Sequence, residues 1–321
     1  MRIFENANYN FIKWRWHAVI LSIGLIWAGV ATTYFRGGVP LGIDFTGGTV
    51  VVLEFARPVA EDAVRSALGS AGGDAVVQRI QEGAGKSDIM IRLPLASGQE
   101  QRDLDEGSTR IESAMRAANL GDFKIIQRDI VGPSIGKDLQ SKGIWATLTA
   151  LGGILLYVAV RFRITFAVGA IVATFHDILI TLVFLSWFGY EISLNVIAAI
   201  LTIAGYSVND TIVVFDRVRE NQRLSRREPL DEVVNRSVNQ TLGRTIITSG
   251  TTMLAVLALF VLGGEVLRGF AFTMLIGIIT GTYSTVFIAA AIAIILSRRT
   301  PTPTAQVQKA IPAEPRRRAR A

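Results

Sequence analysis

Cysteine is missing from all 321 residues, which removes disulfides and thiolate metal sites. Histidine is nearly missing as well. Two of them make a His-rich metal site unexpected, and with no metal-ligand constellation visible elsewhere no metal or other cofactor is expected. Charge is also scarce: charged residues make up 18% of the chain, whereas soluble domains carry about a quarter. Half of the residues are hydrophobic and the mean hydropathy is +0.41. That balance argues against a soluble nucleotide enzyme and for a membrane chain. The net charge of +7 is not a nucleic-acid signature. Residues 36–137 are net acidic, and the excess of Lys and Arg lies at the ends and loops flanking apolar runs, as the positive-inside rule requires.

What is present is a series of six apolar runs, at residues 18–35, 143–160, 164–188, 192–215, 245–262 and 270–296. Each approaches the roughly 20 residues needed to span a bilayer. The first run follows a basic, aromatic arm (residues 1–17) and has a signal peptide as its rival reading. It exceeds the roughly 7–15 residues of a signal core and no clean cleavage site follows, so a retained helix is expected. The loop at 216–244 holds seven Arg against five acids, and its 230–242 part reads as an interfacial helix. The tail from residue 297 carries RRRAR and is expected to be a disordered topology or lipid-headgroup signal. These basic segments place both termini in the cytoplasm and the large loop on the outer side.

That loop, residues 36–140, reads as a small α+β domain. A β-rich run, GIDFTGGTVVVLEF, ends at Phe55. Helical spacing then covers 59–70 and 102–118, with strands at 75–81, 88–93 and 123–131. The order β-α-β-β-α-β is that of a ferredoxin-like sandwich. The glycines from Gly42 to Gly48 lack both the Lys-Ser/Thr of a phosphate loop and GxGxxG spacing. Gly42, Asp44, Gly47 and Gly48 are instead expected to form a turn that packs the domain against the first span, with Asp44 capping it. Glu191, in the short link after the third span, reads as solvated.

Candidate functional residues lie inside the apolar runs. A carboxylate there costs at least about 2.5–3.5 kcal/mol on insertion scales, so Asp210 needs a partner or a task. At 100° per residue it shares a stripe with Tyr206 and Arg217, while Asp216 falls on another side and marks the cytoplasmic end with Arg217. Asp210 is a candidate for taking up and releasing protons; a static buried ion pair is the alternative. Arg244 opens the fifth span, and Thr248, Thr251 and Thr252 continue its face into the membrane, where they could line water or hydrogen-bond Asp210. Arg244 is also readable as an ordinary interfacial anchor. His176 and Asp177 lie midway along the third span, diverging by 100°, with Asp177 the stronger candidate and His176 a packed neutral ring or a proton relay.

The segments LGIDFTGGT, VGPSIGKDL, the intramembrane HD pair, GYSVNDTIVVFDRVREN, TLGRTIITSGTTM and GGEVLRGFAFTMLIGIITGTYS together resemble the SecF branch of the SecD/SecF protein-export family. The resemblance implies six membrane helices forming half of a resistance-nodulation-division-like unit, with a ferredoxin-like periplasmic domain after the first helix. It implies a SecD partner that completes twelve helices, association with the SecY translocon, with a YajC-type accessory subunit and with translocating preproteins, and a location in the bacterial inner membrane. It also implies use of the proton-motive force in late, ATP-independent steps of export, with Asp210 and Arg244 as the proton-responsive pair. A half-exporter of a small hydrophobic substrate is the alternative, and a structural scaffold a third.

Overall fold

The computed structural model describes residues 7–69, 75–83, 86–94, 103–225 and 227–299. The tail with RRRAR, the first six residues of the arm and residues 84–85 of the turn between the second and third strands lie outside the described residues.

Among the described residues, six helices are long and apolar enough to cross a bilayer. They are α1 (Arg15–Phe35, entered by a 3-10 turn at Ile12–Trp14), α5 (Pro133–Arg161), α6 (Ile164–Phe188), α7 (Leu194–Leu224), α8 (Leu230–Leu262) and a last span. The last span is built from α9 (Gly264–Ser284), a π-helical stretch (Thr285–Ala289) and α10 (Ala290–Arg299). Local sequence explains the ends. Pro133 sits in the first turn of α5, where its missing N–H is no loss. Gly189 closes α6 in the left-handed conformation, and the Ser193 side chain caps α7 through the Val196 N–H at 3.3 Å.

Helices α5, α7 and α8 extend well past the ends of their apolar runs. The first ten residues of α5 are mostly polar, with an exposed Lys142–Asp138 pair at 2.7 Å. Helix α7 continues past residue 215 to Leu224. The expected interfacial helix is not separate: α8 runs unbroken from Leu230 into the fifth span, and its Val233, Val234 and Val238 are buried. Hydropathy marks where lipid begins, whereas a helix stops only where its hydrogen-bond ladder is broken.

Strands β1 (Gly48–Phe55), β2 (Val76–Gly83), β3 (Lys86–Pro94) and β4 (Phe123–Val131) form one sheet in the order β2-β3-β1-β4, every pair antiparallel. With α3 (Glu61–Leu68) and α4 (Asp103–Ala117) the chain order is the split β-α-β of a ferredoxin-like sandwich. Leu53, Phe55, Val64, Ile89, Ile91 and Ile111 fill its core. Strand β1 is apolar on both faces because Val50 and Val52 pack on the other side against Ile43 and Met90.

The Gly42–Gly48 segment departs from expectation. Ile43–Thr46 is one helical turn, α2, and the strand begins only at Gly48. Gly47 and Gly48 take φ values of +73° and +137°, which side chains other than glycine's rarely allow. The turn packs on α5 and on the link before α7, not on the first helix, and Asp44 caps α7 rather than its own turn, accepting from Leu194 N at 2.8 Å. Glu191 is not simply solvated but pairs with Arg92 of β3. Burial lowers the Arg92 guanidinium to about 10, still protonated at neutral pH.

Helices α6, α7 and the last span form the interior, with α1, α5 and α8 more exposed around them. A fully buried Asp177 ties the interior together. Its Oδ2 accepts from Ser207 of α7 at 2.5 Å and from Ser284 of α9 at 2.7 Å, while its Oδ1 lies 2.9 Å from His176 Nδ1. The expected divergence of His176 and Asp177 is thus overridden: the two side chains swing together although their Cα–Cβ directions differ. At the end opposite the sheet, Phe162 and Phe166 meet Phe215 edge-on at 6.2 and 5.1 Å. There the N-terminal arm is gripped by α8, with Tyr9 N on Asn239 Oδ1 at 2.8 Å and Phe11 N on Asn235 Oδ1 at 2.9 Å.

Ile91→Ala is expected to destabilise the domain by about 2–5 kcal/mol, measurable as earlier proteolysis of the purified full chain during denaturant titration. Asp177→Ala strands the buried Ser207 hydroxyl at a cost of about 1–3 kcal/mol and leaves Ser284 only its bond to Gly281 O at 3.2 Å. It is expected to lower the melting temperature more than Asp177→Asn, which retains an acceptor; equal melting curves for the two would refute the hub.

Candidate functional site

The stripe read from helical spacing on α7 faces α8. Asp210 Oδ1 accepts from Thr245 Oγ1 at 2.7 Å, the Tyr206 hydroxyl reaches Ser249 Oγ at 3.5 Å, and Arg217 Nε donates to Gln240 Oε1 at 2.6 Å. All three partners belong to α8. Arg217 also pairs with Glu220 at 2.6 Å, so its charge is spent at the helix end rather than on Asp210. Asp216 turns aside to Arg161 at the end of α5, with contacts of 3.0 and 3.1 Å.

Asp210 is 9% exposed, and its Oδ2 has no hydrogen-bond partner among the described residues. The Thr285 hydroxyl, bonded to Thr211 of α7 at 3.0 Å, stands beside it. The interior acids therefore meet adjacent residues of the last span: Asp177 meets Ser284, and Asp210 lies by Thr285, at the start of the π-helical stretch. π turns of this kind concentrate at functional positions.

Arg244 lies within electrostatic reach of Asp210 but forms no ion pair with it among the described residues, and its side chain is exposed. Nor do the hydroxyls of its stripe serve Asp210. Thr248, Thr251 and Thr252 bond their own helix, to the carbonyls of Arg244, Ile247 and Thr248 at 3.0, 2.8 and 2.9 Å. The reason is angular. Consecutive helical residues diverge by 100°, so when Thr245 and Ser249 face α7, Arg244, Thr248 and Thr251 face outward. On α7 itself Thr202, Gly205 and Asn209 are exposed in the same way.

Four residues that the sequence reading passed over prove central: Thr245, Ser207, Ser284 and Thr285. A signal was available. Ser207 stands three residues before Asp210, and each of the others is a hydroxyl on a predominantly apolar helix. Among the described residues no cluster of three or more His, Asp or Glu could hold a metal.

The chain matches the family model of the SecD/SecF protein export membrane protein C-terminal region over residues 110–299, and that of the SecD/SecF GG motif over residues 35–59. It is 44% identical over 306 residues to the protein translocase subunit SecF of Rhodothermus marinus, covering 93% of this chain and 96% of that one. It is 40% identical over 291 residues to the corresponding subunit of Escherichia coli O157:H7, covering 91% and 88%. The crystal structure of SecDF, a translocon-associated membrane protein from Thermus thermophilus, superimposes with a TM-score of 0.81 at 38% identity. That match covers 93% of this chain but 40% of the longer SecDF polypeptide. With membrane helices, domain and both motifs accounted for, the chain is a multi-pass membrane protein that belongs to the SecF branch of the SecD/SecF family of protein export membrane proteins.

Proposed function

We propose that the chain is one half of a proton-driven protein-export unit of the bacterial inner membrane, completed to twelve helices by a SecD-type partner. The unit works beside the SecY translocon, with a YajC-type subunit as a further associate. It promotes late, ATP-independent movement of preproteins, with residues 36–140 as a periplasmic domain and both termini in the cytoplasm. The fused SecDF relative supports the pairing, since the segment like this chain is there part of a longer polypeptide. So does Asn209 of α7, an amide within an apolar run that is exposed in this chain and costly against lipid.

The observation that carries the proton-driven mechanism is Asp210, a nine-tenths-buried carboxyl with one oxygen on Thr245 and the other unpartnered among the described residues. Protonation removes the charge that the Thr245 hydroxyl and the nearby Arg244 compensate, and loosens α7 on α8. One proton crossing 100 mV is worth about 2.3 kcal/mol, enough to shift a two-state element by tens of fold.

Asp210→Asn is expected to abolish proton-dependent preprotein export from reconstituted vesicles while the variant still copurifies with its SecD-type partner. Export at the wild-type rate under a full proton gradient would refute the assignment. Arg244→Ala, tested in the same vesicles, is expected to suppress proton-dependent export while leaving ATP-driven early translocation unchanged.

A further inference from the structure

The Gly42–Gly48 turn joins three elements through short, mostly backbone, contacts. Gly42 N donates to Ile192 O at 2.8 Å and Ile192 N donates to Pro40 O at 2.8 Å, so that Leu41 and Ile192 form a parallel β-bridge. Asp44 Oδ2 accepts from Leu194 N at 2.8 Å, on the first residue of α7. From the sheet, Arg92 donates to Leu41 O at 3.3 Å and pairs with Glu191. On the far side of the turn α5 approaches so closely that a Cβ added at Gly136 would lie 3.2 Å from both Phe45 O and Gly47 N. Gly48 then opens β1, the strand hydrogen-bonded on both sides within the sheet.

We propose that this turn is a rigid joint through which displacement of α7 is delivered to the sheet, with Asp44 as the positioning residue. A covalent linker alone would let a helix slide or rotate beneath the domain. Here, movement of the α7 end relative to β1 must break the two bridge hydrogen bonds and the Asp44 cap together. Asp210 lies sixteen residues from Leu194 on the same unbroken helix, about 24 Å at the α-helical rise. The joint is read from geometry alone; that α7 is driven by protons at Asp210 rests on the function proposed above.

The absence of cysteine allows a direct test. In the full chain reconstituted with its SecD-type partner, Leu41→Cys with Ile192→Cys places two thiols across the bridge, where neighbouring strands suit a disulfide. Export of an unfolded preprotein and proton flux are expected to be unchanged after oxidation, because the joint never opens. Export that stops on oxidation and returns with reductant would overturn the proposal. Asp44→Ala is expected to lower export about tenfold while proton flux persists, whereas Asp44→Asn, which keeps an oxygen for the Leu194 N–H, retains it. Wild-type export by Asp44→Ala, or an Asp44→Asn variant as defective as Asp44→Ala, would equally overturn it. Should wild type show no proton flux, the proton reading of Asp210 fails, and the effect of the disulfide on export still decides the joint. If Asp44→Ala does not assemble, the disulfide likewise decides.

Discussion

Inside a bilayer a polar group has no water to fall back on, so each must find its match within the protein. Hydrophobicity gives a helix no preference for a neighbour over lipid, whose chains are as apolar as leucine; close packing and polar contacts supply it. In this chain, polar contacts supply part of the preference. Asp177 holds α7 and α9 against α6 through Ser207 and Ser284, and Asp210 holds α8 against α7 through Thr245. Tyr206 reaches Ser249, and Thr211 reaches Thr285, along the same seams. Four helices are thus indexed to one another by hydroxyls, and the surrounding valines, alanines and isoleucines fill the space that this indexing leaves.

The same constraint explains which helices are central. Those that carry the acids and their hydroxyl partners, α6, α7 and the last span, bury the larger share of their surface, while α1 and α5 bury little. Helix α8 is intermediate in character. One side satisfies Asp210, and the other shows Arg244, Thr248 and Thr251 to the outside.

Much of this was legible in the residues. The α+β order of the domain followed from alternation and turn chemistry, and the observed strand order is that of the ferredoxin-like sandwich. The Tyr206–Asp210–Arg217 stripe followed from the helical period, and all three residues do turn to one neighbour. What the period could not supply was the identity of that neighbour's facing side. Choosing Arg244 as the marker of the α8 face put Thr245 a hundred degrees away, yet a short hydroxyl fits between packed helices where a guanidinium does not. The Asp44 contact was illegible for a different reason: its partner, Leu194 N, lies 150 positions along the chain, and a helix N-terminus offers its N–H groups whatever side chains it carries. The helix ends were missed because charge marks the edge of the lipid rather than the end of an α-helix.

The π-helical stretch at Thr285–Ala289 has a consequence for how the last span is compared with other sequences. A π turn is equivalent to one residue slipped into an α-helix. Everything from Ala290 onward is therefore out of phase with everything before Ser284 by about a hundred degrees, and a single helical wheel drawn through α9 and α10 assigns one of them the wrong inner face. The buried Ile278 upstream and the buried Ala293 and Ile294 downstream belong to two separate wheels. A homologue lacking one residue in this stretch would bring the wheels back into register, and would lose the local geometry that sets Ser284 on Asp177 and Thr285 beside Asp210.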